Sequence, residues 1–333
     1  MPRSRRLFKS HTTYEICFRA RRGLPLIAYR FIALLIKSAI ARTQRDDKIV
    51  LCHDIWNGSH AHLLVVCRDA EQLKRFYEEL QKRLTEYIKR LLGIQSLNLW
   101  EGRPMVAEVA DLQAAKERIS YFYANPAQDD LEENIDRFPG YSSWRDFLRC
   151  RESIRSETTL KIPWIRLSTI PRLRNSLVDS ESDRRLVRLL VKRNDETHLL
   201  RRYPNAWMSC FGVNDDCEVV KINKEIIQLT RERENKANAR RQSTGKNIIG
   251  IKALTSQPLM KDHVPKKKSR KIFVISSSRS LRIQMIRKYR NFCKQCSSCY
   301  QEWRKGNLLI EWPLGAFRPP LPPSVNVLPR LGR

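Results

Sequence analysis

The sequence predicts an α+β protein: a ferredoxin-like antiparallel sheet with helices on one face, followed by a basic, mainly helical C-terminal extension. Three observations predict it. Strand and helix periodicities succeed one another in the order β-α-β-β-α-β-α before residue 130. An Asn57-Gly58 pair separates two strand-like runs, which marks a hairpin. The 333 residues carry 64 Lys and Arg against 35 Asp and Glu, with the excess concentrated after residue 150.

Thr13 to Phe18 (TYEICF) alternates as a strand does, and Ala28 to Ala41 has helical spacing. Lys48 to Ile55 and Ser59 to Val66 read as the two hairpin strands. Asp69 is positioned to cap a helix in which Leu73, Phe76, Leu80, Leu84, Ile88 and Leu91 recur every three or four residues against a charged background. Met105 to Val109 supplies a further strand. Asp111 caps a helix through Leu112, Ala115, Ile119 and Phe122, expected to end as Pro126 approaches. Beyond Trp144 the pattern loosens into Arg-rich segments, with helices expected over Ser182 to Lys192 and Lys221 to Asn238. A strand-like Ile272 to Ser276, a long helix from Leu281 to Lys305 and an extended proline-rich tail from Pro313 to Pro329 complete the chain. The expected division is an α+β domain over 1–150, a basic helical region over 151–239, a basic linker or arm over 240–271, and a strand, helix and tail over 272–333.

A net charge of +29, with a hydrophobic share of 41%, excludes wholesale disorder and implies an acidic partner. Residues 1–150 hold 25 Lys/Arg and 19 Asp/Glu, which leaves 39 against 16, a net of +23, in residues 151–333. Such an excess draws phosphate backbones by releasing their counterions. The run Lys266, Lys267, Lys268, Arg270 and Lys271 is the densest candidate DNA grip. No apolar run approaches the roughly 18 residues a membrane span needs, since Arg30 interrupts Leu24 to Ile36. The basic N-terminus lacks the apolar region of a secretory signal. The expected setting is cytoplasmic and nucleoid-associated, without a membrane partner. Nine cysteines, an odd number, point to thiols rather than a disulfide framework.

His60-Ala61-His62 lies in an apolar strand, so period two sends both imidazoles to one face. Tyr121 and Asn125 are four apart and share a helix face, whereas Tyr123 lies about 200° around from Tyr121. If that helix face packs over the histidine-bearing sheet face, the site combines two imidazoles, an amide oxygen and a phenol, the makings of a metal centre with a nucleophile. Each residue has a plainer reading, Tyr121 as a buried helix aromatic and Asn125 as a helix C-cap.

With His60-Ala61-His62-Leu63-Leu64-Val65, Tyr121 to Pro126 as Tyr-x-x-x-Asn-Pro, and Tyr141-Ser142-Ser143-Trp144 in that order, the sequence over roughly residues 12–150 resembles the single-tyrosine HUH transposases, and among them the REP-associated tyrosine transposases. The resemblance implies a metal-dependent endonuclease and strand transferase for single-stranded or hairpin DNA. It would work through a 5′-phosphotyrosine intermediate, with His60, His62 and Asn125 as ligands of Mg²⁺ or Mn²⁺ and Tyr121 as nucleophile. A homodimer is compatible with it. Gly58-Ser59 stands where the family usually has Pro-Asn before the first histidine, and Phe122-Tyr123 replaces its commoner aliphatic pairing, which keeps Tyr123 as a rival nucleophile.

Two alternatives belong to other classes: a catalytically silent relative that only holds single strands, and a zinc-dependent DNA-binding regulator built on Cys293, Cys296 and Cys299. Met285, Tyr289, Phe292, Cys296, Cys299 and Trp303 are spaced 4, 3, 4, 3 and 4, which favours an inward stripe of a helix over a zinc ligand set.

Overall fold

The computed structural model describes residues 8–21, 29–173, 178–258, 272–316 and 319. The five cationic residues between Lys266 and Lys271 therefore lie outside the described residues, as does most of the proline-rich tail.

The first half forms β1 (Thr12–Arg19), α1 (Arg30–Asp47), β2 (Val50–Trp56), β3 (His60–Cys67), α2 (Ala70–Leu92), β4 (Met105–Val109), α3 (Leu112–Gln128), the short β5 (Tyr141–Ser142) and α4 (Trp144–Arg149). The second half adds β6 (Thr158–Pro163), α5 (Ser180–Lys192), β7 (Thr197–Arg202), α6 (Asp216–Thr244), α7 (Gly250–Thr255), β8 (Val274–Ile275) and α8 (Arg279–Arg304). The result is a mixed α+β fold around a six-stranded sheet in the order β5-β2-β3-β1-β4-β8, beside a two-stranded β6-β7 sheet. The sheet is antiparallel except where β8 runs parallel to β4, so the all-antiparallel expectation is corrected at that edge.

Helices cover both sheet faces, which also corrects the one-sided arrangement expected from sequence. On one face Phe18 stacks against Trp56 and packs on Trp100, whose indole N–H bonds to Gln81 and Thr85 of α2. On the other face the α3 side chain Phe122 stacks on His62, and Tyr123 meets His53. Both faces must be dry, because β1 is buried almost end to end.

Local signals explain the boundaries. Asp69 and Asp111 accept from the N–H groups of Gln72 and Ala114 at 2.7 Å, capping α2 and α3, and Gly93 closes α2 with φ 66°. α3 runs past Pro126 to Gln128, two residues beyond the expected stop, because a proline in the last turn forfeits only one ladder bond. α1 has no cap of its own. Asp183 of α5 supplies one from across the chain, accepting from Arg30 N and Phe31 N at 3.0 Å each. The hairpin turn forms, yet neither Asn57 nor Gly58 takes a positive φ, so it is a three-residue connection closed by Asn57 N donating to His60 O at 2.8 Å.

The second half is tied to the first. α6 packs along α3, and the fully buried Arg202 at the end of β7 donates to Asp54 of β2 at 2.8 Å, to Asp146 of α4 at 2.5 Å and to the Tyr141 hydroxyl. Among the described residues no helix is long and apolar enough to cross a membrane.

Candidate active site

The register of β1 against β3 builds the site floor. Cys17 lies opposite His62 and Arg19 opposite His60, so Glu15, Cys17, His60 and His62 share the face that α3 covers. Asn57 at the hairpin turn reaches the same corner.

The structure brings His60, His62, Tyr121 and Asn125 together, and the 266–271 run lies outside the described residues. The His60 and His62 rings lie 5.0 Å apart, and the Tyr121 ring meets His62 edge-on at 5.8 Å. Asn125 Nδ2 sits 3.0 Å from His60 Nε2, with Asn57 Nδ2 at 3.3 Å from the same nitrogen. Amide nitrogens only donate, so His60 Nε2 is the acceptor, and its lone pair is engaged by Asn125 and Asn57. His62 Nδ1 donates to Glu15 Oε1 at 2.7 Å, which directs its other nitrogen, Nε2, into the site. His62 Nε2 and Asn125 Oδ1 are both buried without a hydrogen-bond partner.

An imidazole nitrogen and an amide oxygen buried without partners are costly unless something binds them. With His60 Nε2 alongside, they offer a donor set for a divalent cation that displaces the Asn125 amide hydrogen from His60 and a proton from His62. No group of three or more His, Cys, Asp or Glu side chains close enough to hold a metal ion occurs among the described residues, and this set differs in drawing its third donor from an amide.

Glu15 and Arg118 complete the site, and sequence reasoning missed both. Arg118 donates to both Glu15 oxygens, through Nη2 at 2.7 Å and through Nε, while its guanidinium lies 4.4 Å from the Tyr121 ring centre. Burial opposes ionisation of Glu15, but the hydrogen bond from His62 and the charge of Arg118 hold its pKa down to about 2. Burial likewise disfavours a charged His62, yet Cys17 and Glu15 outweigh it and push the pKa up to about 9, so at neutral pH both ring nitrogens carry protons and a cation at Nε2 would have to displace one. Burial also pushes the Tyr121 phenol up, with Arg118 pulling the other way. A signal for Glu15 existed, since it is the lone charge inside an apolar strand; Arg118 was visible only as the residue one helical turn before Tyr121.

Tyr123 is built differently. It is fully buried, and its hydroxyl is held 2.7 Å from His53 Nδ1 and 3.0 Å from Ser143 Oγ. Ser143 in turn donates from N to Asp54 O at 2.8 Å and accepts from Asp54 N at 2.8 Å. The Tyr141-Ser142-Ser143-Trp144 run thus serves as a brace that locks Tyr123 against the sheet. The cysteines of α8 stand apart from all of this: Phe292, Cys296 and Trp303 are buried along the expected inward stripe.

No family model matches the chain, and no curated protein does. The solved structure of a REP-associated tyrosine transposase bound to a REP hairpin aligns with 45% of this chain and 86% of its own, at 17% identity and a TM-score of 0.39.

Proposed function

We propose that the chain is a DNA transposase or recombinase that cleaves and rejoins single-stranded DNA through Tyr121. The observation that carries this reading is the convergence of a half-buried phenol, two histidine ring nitrogens and an unpartnered amide oxygen on one sheet face. The phenol and the amide come from a single turn of α3. The strand order β2-β3-β1-β4 with α1 and α2 as crossovers supports a ferredoxin-like core for the nuclease part.

His60, His62 and Asn125 would hold a divalent cation, Mg²⁺ or Mn²⁺. Such an ion polarises the scissile phosphate and offsets the charge that develops on it. The chain's own groups supply the rest. Glu15 fixes His62 with Nε2 inward, Arg118 holds the Tyr121 ring and stabilises negative charge on its oxygen, and α3 shields the site from bulk water. Attack by Tyr121 Oη forms an oxygen–phosphorus bond and breaks the bond to the 3′ oxygen. The 3′ oxygen leaves as a hydroxyl after taking up a proton, while the phenol gives up its own. The 5′-phosphotyrosine keeps the energy of the broken bond, so a DNA hydroxyl can reverse the step and join strands. The cationic second half holds the substrate by its phosphates, in a cytoplasmic, nucleoid-associated setting and as a monomer or homodimer.

Incubation with labelled single-stranded or hairpin-tipped DNA and Mg²⁺ tests the reading. A covalent protein–DNA adduct that survives denaturation supports it. Binding without any adduct would leave only a single-strand-binding protein.

A further inference from the structure

The helix α8 carries a second feature that the Tyr121 site does not use. Between Arg279 and Lys305 stand eight Lys/Arg and a single acid, Glu302, and all eight basic residues are exposed. At about 100° per residue, seven of them fall within an arc of about 140°, opposite the stripe of Phe292, Cys296 and Trp303 that faces inward. Arg279, Arg290 and Arg304 run along the middle of this arc, Arg282 along one flank, and Arg287, Lys294 and Lys305 along the other. Among the described residues only Lys305 has an acidic partner, Glu302 at 2.8 Å.

A charge row so poorly neutralised on one rigid helix is destabilising by itself and calls for an extended anionic counterpart. Its length from Arg279 to Lys305 is about 39 Å, close to one turn of duplex DNA. Cations on both flanks suit a groove walled by two phosphate strands, and the major groove admits an α-helix. A surface for single strands would interleave exposed aromatic rings for base stacking. Here Tyr300 is the one aromatic near the cationic arc, at its margin and stacked on Trp303 at 5.5 Å.

The start of α8 is also fixed to the helix that bears Tyr121. Asp111, the cap of α3, accepts from Ser276 Oγ at 2.7 Å, Ser277 N at 3.0 Å and Ser277 Oγ at 2.6 Å, just before α8 begins.

We infer that the outward face of α8 binds the phosphate backbones of duplex DNA and holds a double-stranded segment at a set position from Tyr121, a role that rests on the DNA-cleaving reading of that site. In the full chain, Arg287→Gln, Arg290→Gln and Lys294→Gln are combined, and binding to a labelled duplex spanning the helix is followed over a salt series. Removing three phosphate contacts should lower the slope of log affinity against log salt by ~2.7. The charge-preserving pair Arg287→Lys and Arg290→Lys should keep the wild-type slope. Helical circular dichroism and an unchanged melting midpoint establish that the exposed substitutions leave the fold intact. An unchanged slope overturns the inference, as does an equal fall on a single strand of the same length, or a loss confined to double-stranded RNA or anionic vesicles. The assay needs no cleavage, so a wild-type chain that forms no adduct overturns the Tyr121 reading without touching this slope.

Discussion

The Arg118 guanidinium lies 4.4 Å from the centre of the Tyr121 ring while both Glu15 oxygens hold it in place, so one buried carboxylate positions both the cation beside Tyr121 and the histidine His62. Removing one member should therefore cost more than removing two. Arg118→Met leaves Glu15 buried with His62 alone, and a stranded charge of this kind costs about 3–5 kcal/mol. The pair Arg118→Met with Glu15→Gln should cost less than Arg118→Met alone. Denaturant melts of the three variants measure this, and strict additivity would count against a coupled network.

Acid should destabilise the fold through His53. Burial lowers its pKa to about 3, so the folded state resists a proton that the unfolded state takes up below the ordinary histidine value. The sign follows: stability is fully present above about pH 6.5 and is lost as pH falls toward 3, at about 1.4 kcal/mol per pH unit. Glu15 adds to the loss only below the ordinary carboxylate range, because its own pKa is about 2. His53→Asn should be less stable at neutral pH but flatter between pH 6.5 and 4.5. Urea melts across that window check it, and a slope equal to that of wild type would contradict it.

Those two networks show where the sequence was legible. The strands and helices of the first half could be read because their apolar periodicity is local, as in the stripe from Leu73 to Leu91 that the structure buries along α2. His60-Ala61-His62 and Tyr121 with Asn125 could be read for the same reason, each pair lying on one face by spacing alone. The β6-β7 pairing could not. Its inward positions on β7 include His198 and Arg202, which look like surface residues until Asp54 and Asp146 are placed around the arginine. Arg118 and Glu15 are 103 residues apart, and nothing local to either announces the other.

Arg202 should be a linchpin of stability rather than of chemistry. Arg202→Met strands Asp54 and Asp146 without their shared cation, at a cost of about 3–5 kcal/mol. Chemical denaturation should show a lower midpoint with an unchanged slope. A loss below about 1 kcal/mol would mean that the two carboxylates find other partners.

Cleavage and binding should separate at His62. His62→Ala should abolish adduct formation, and Glu15→Gln, which removes the charge that orients His62 and pairs with Arg118, should lower it by about 10- to 100-fold. DNA affinity should change little in either, since phosphate contacts in the cationic second half dominate it. Gel-shift and adduct assays on the same preparations measure both, and a parallel loss would contradict the division.

The identity of the nucleophile tests the account most directly. Tyr123 is locked between His53 and Ser143, whereas the Tyr121 hydroxyl makes no hydrogen bond among the described residues and its ring lies between Arg118 and His62. Tyr121→Phe should eliminate the covalent DNA adduct at almost unchanged stability, while Tyr123→Phe should lose about 1–3 kcal/mol and still form it. Mass spectrometry of the nuclease-trimmed adduct reads the answer in one measurement: a nucleotide on Tyr121 is the predicted result, and a nucleotide on Tyr123 would contradict the account.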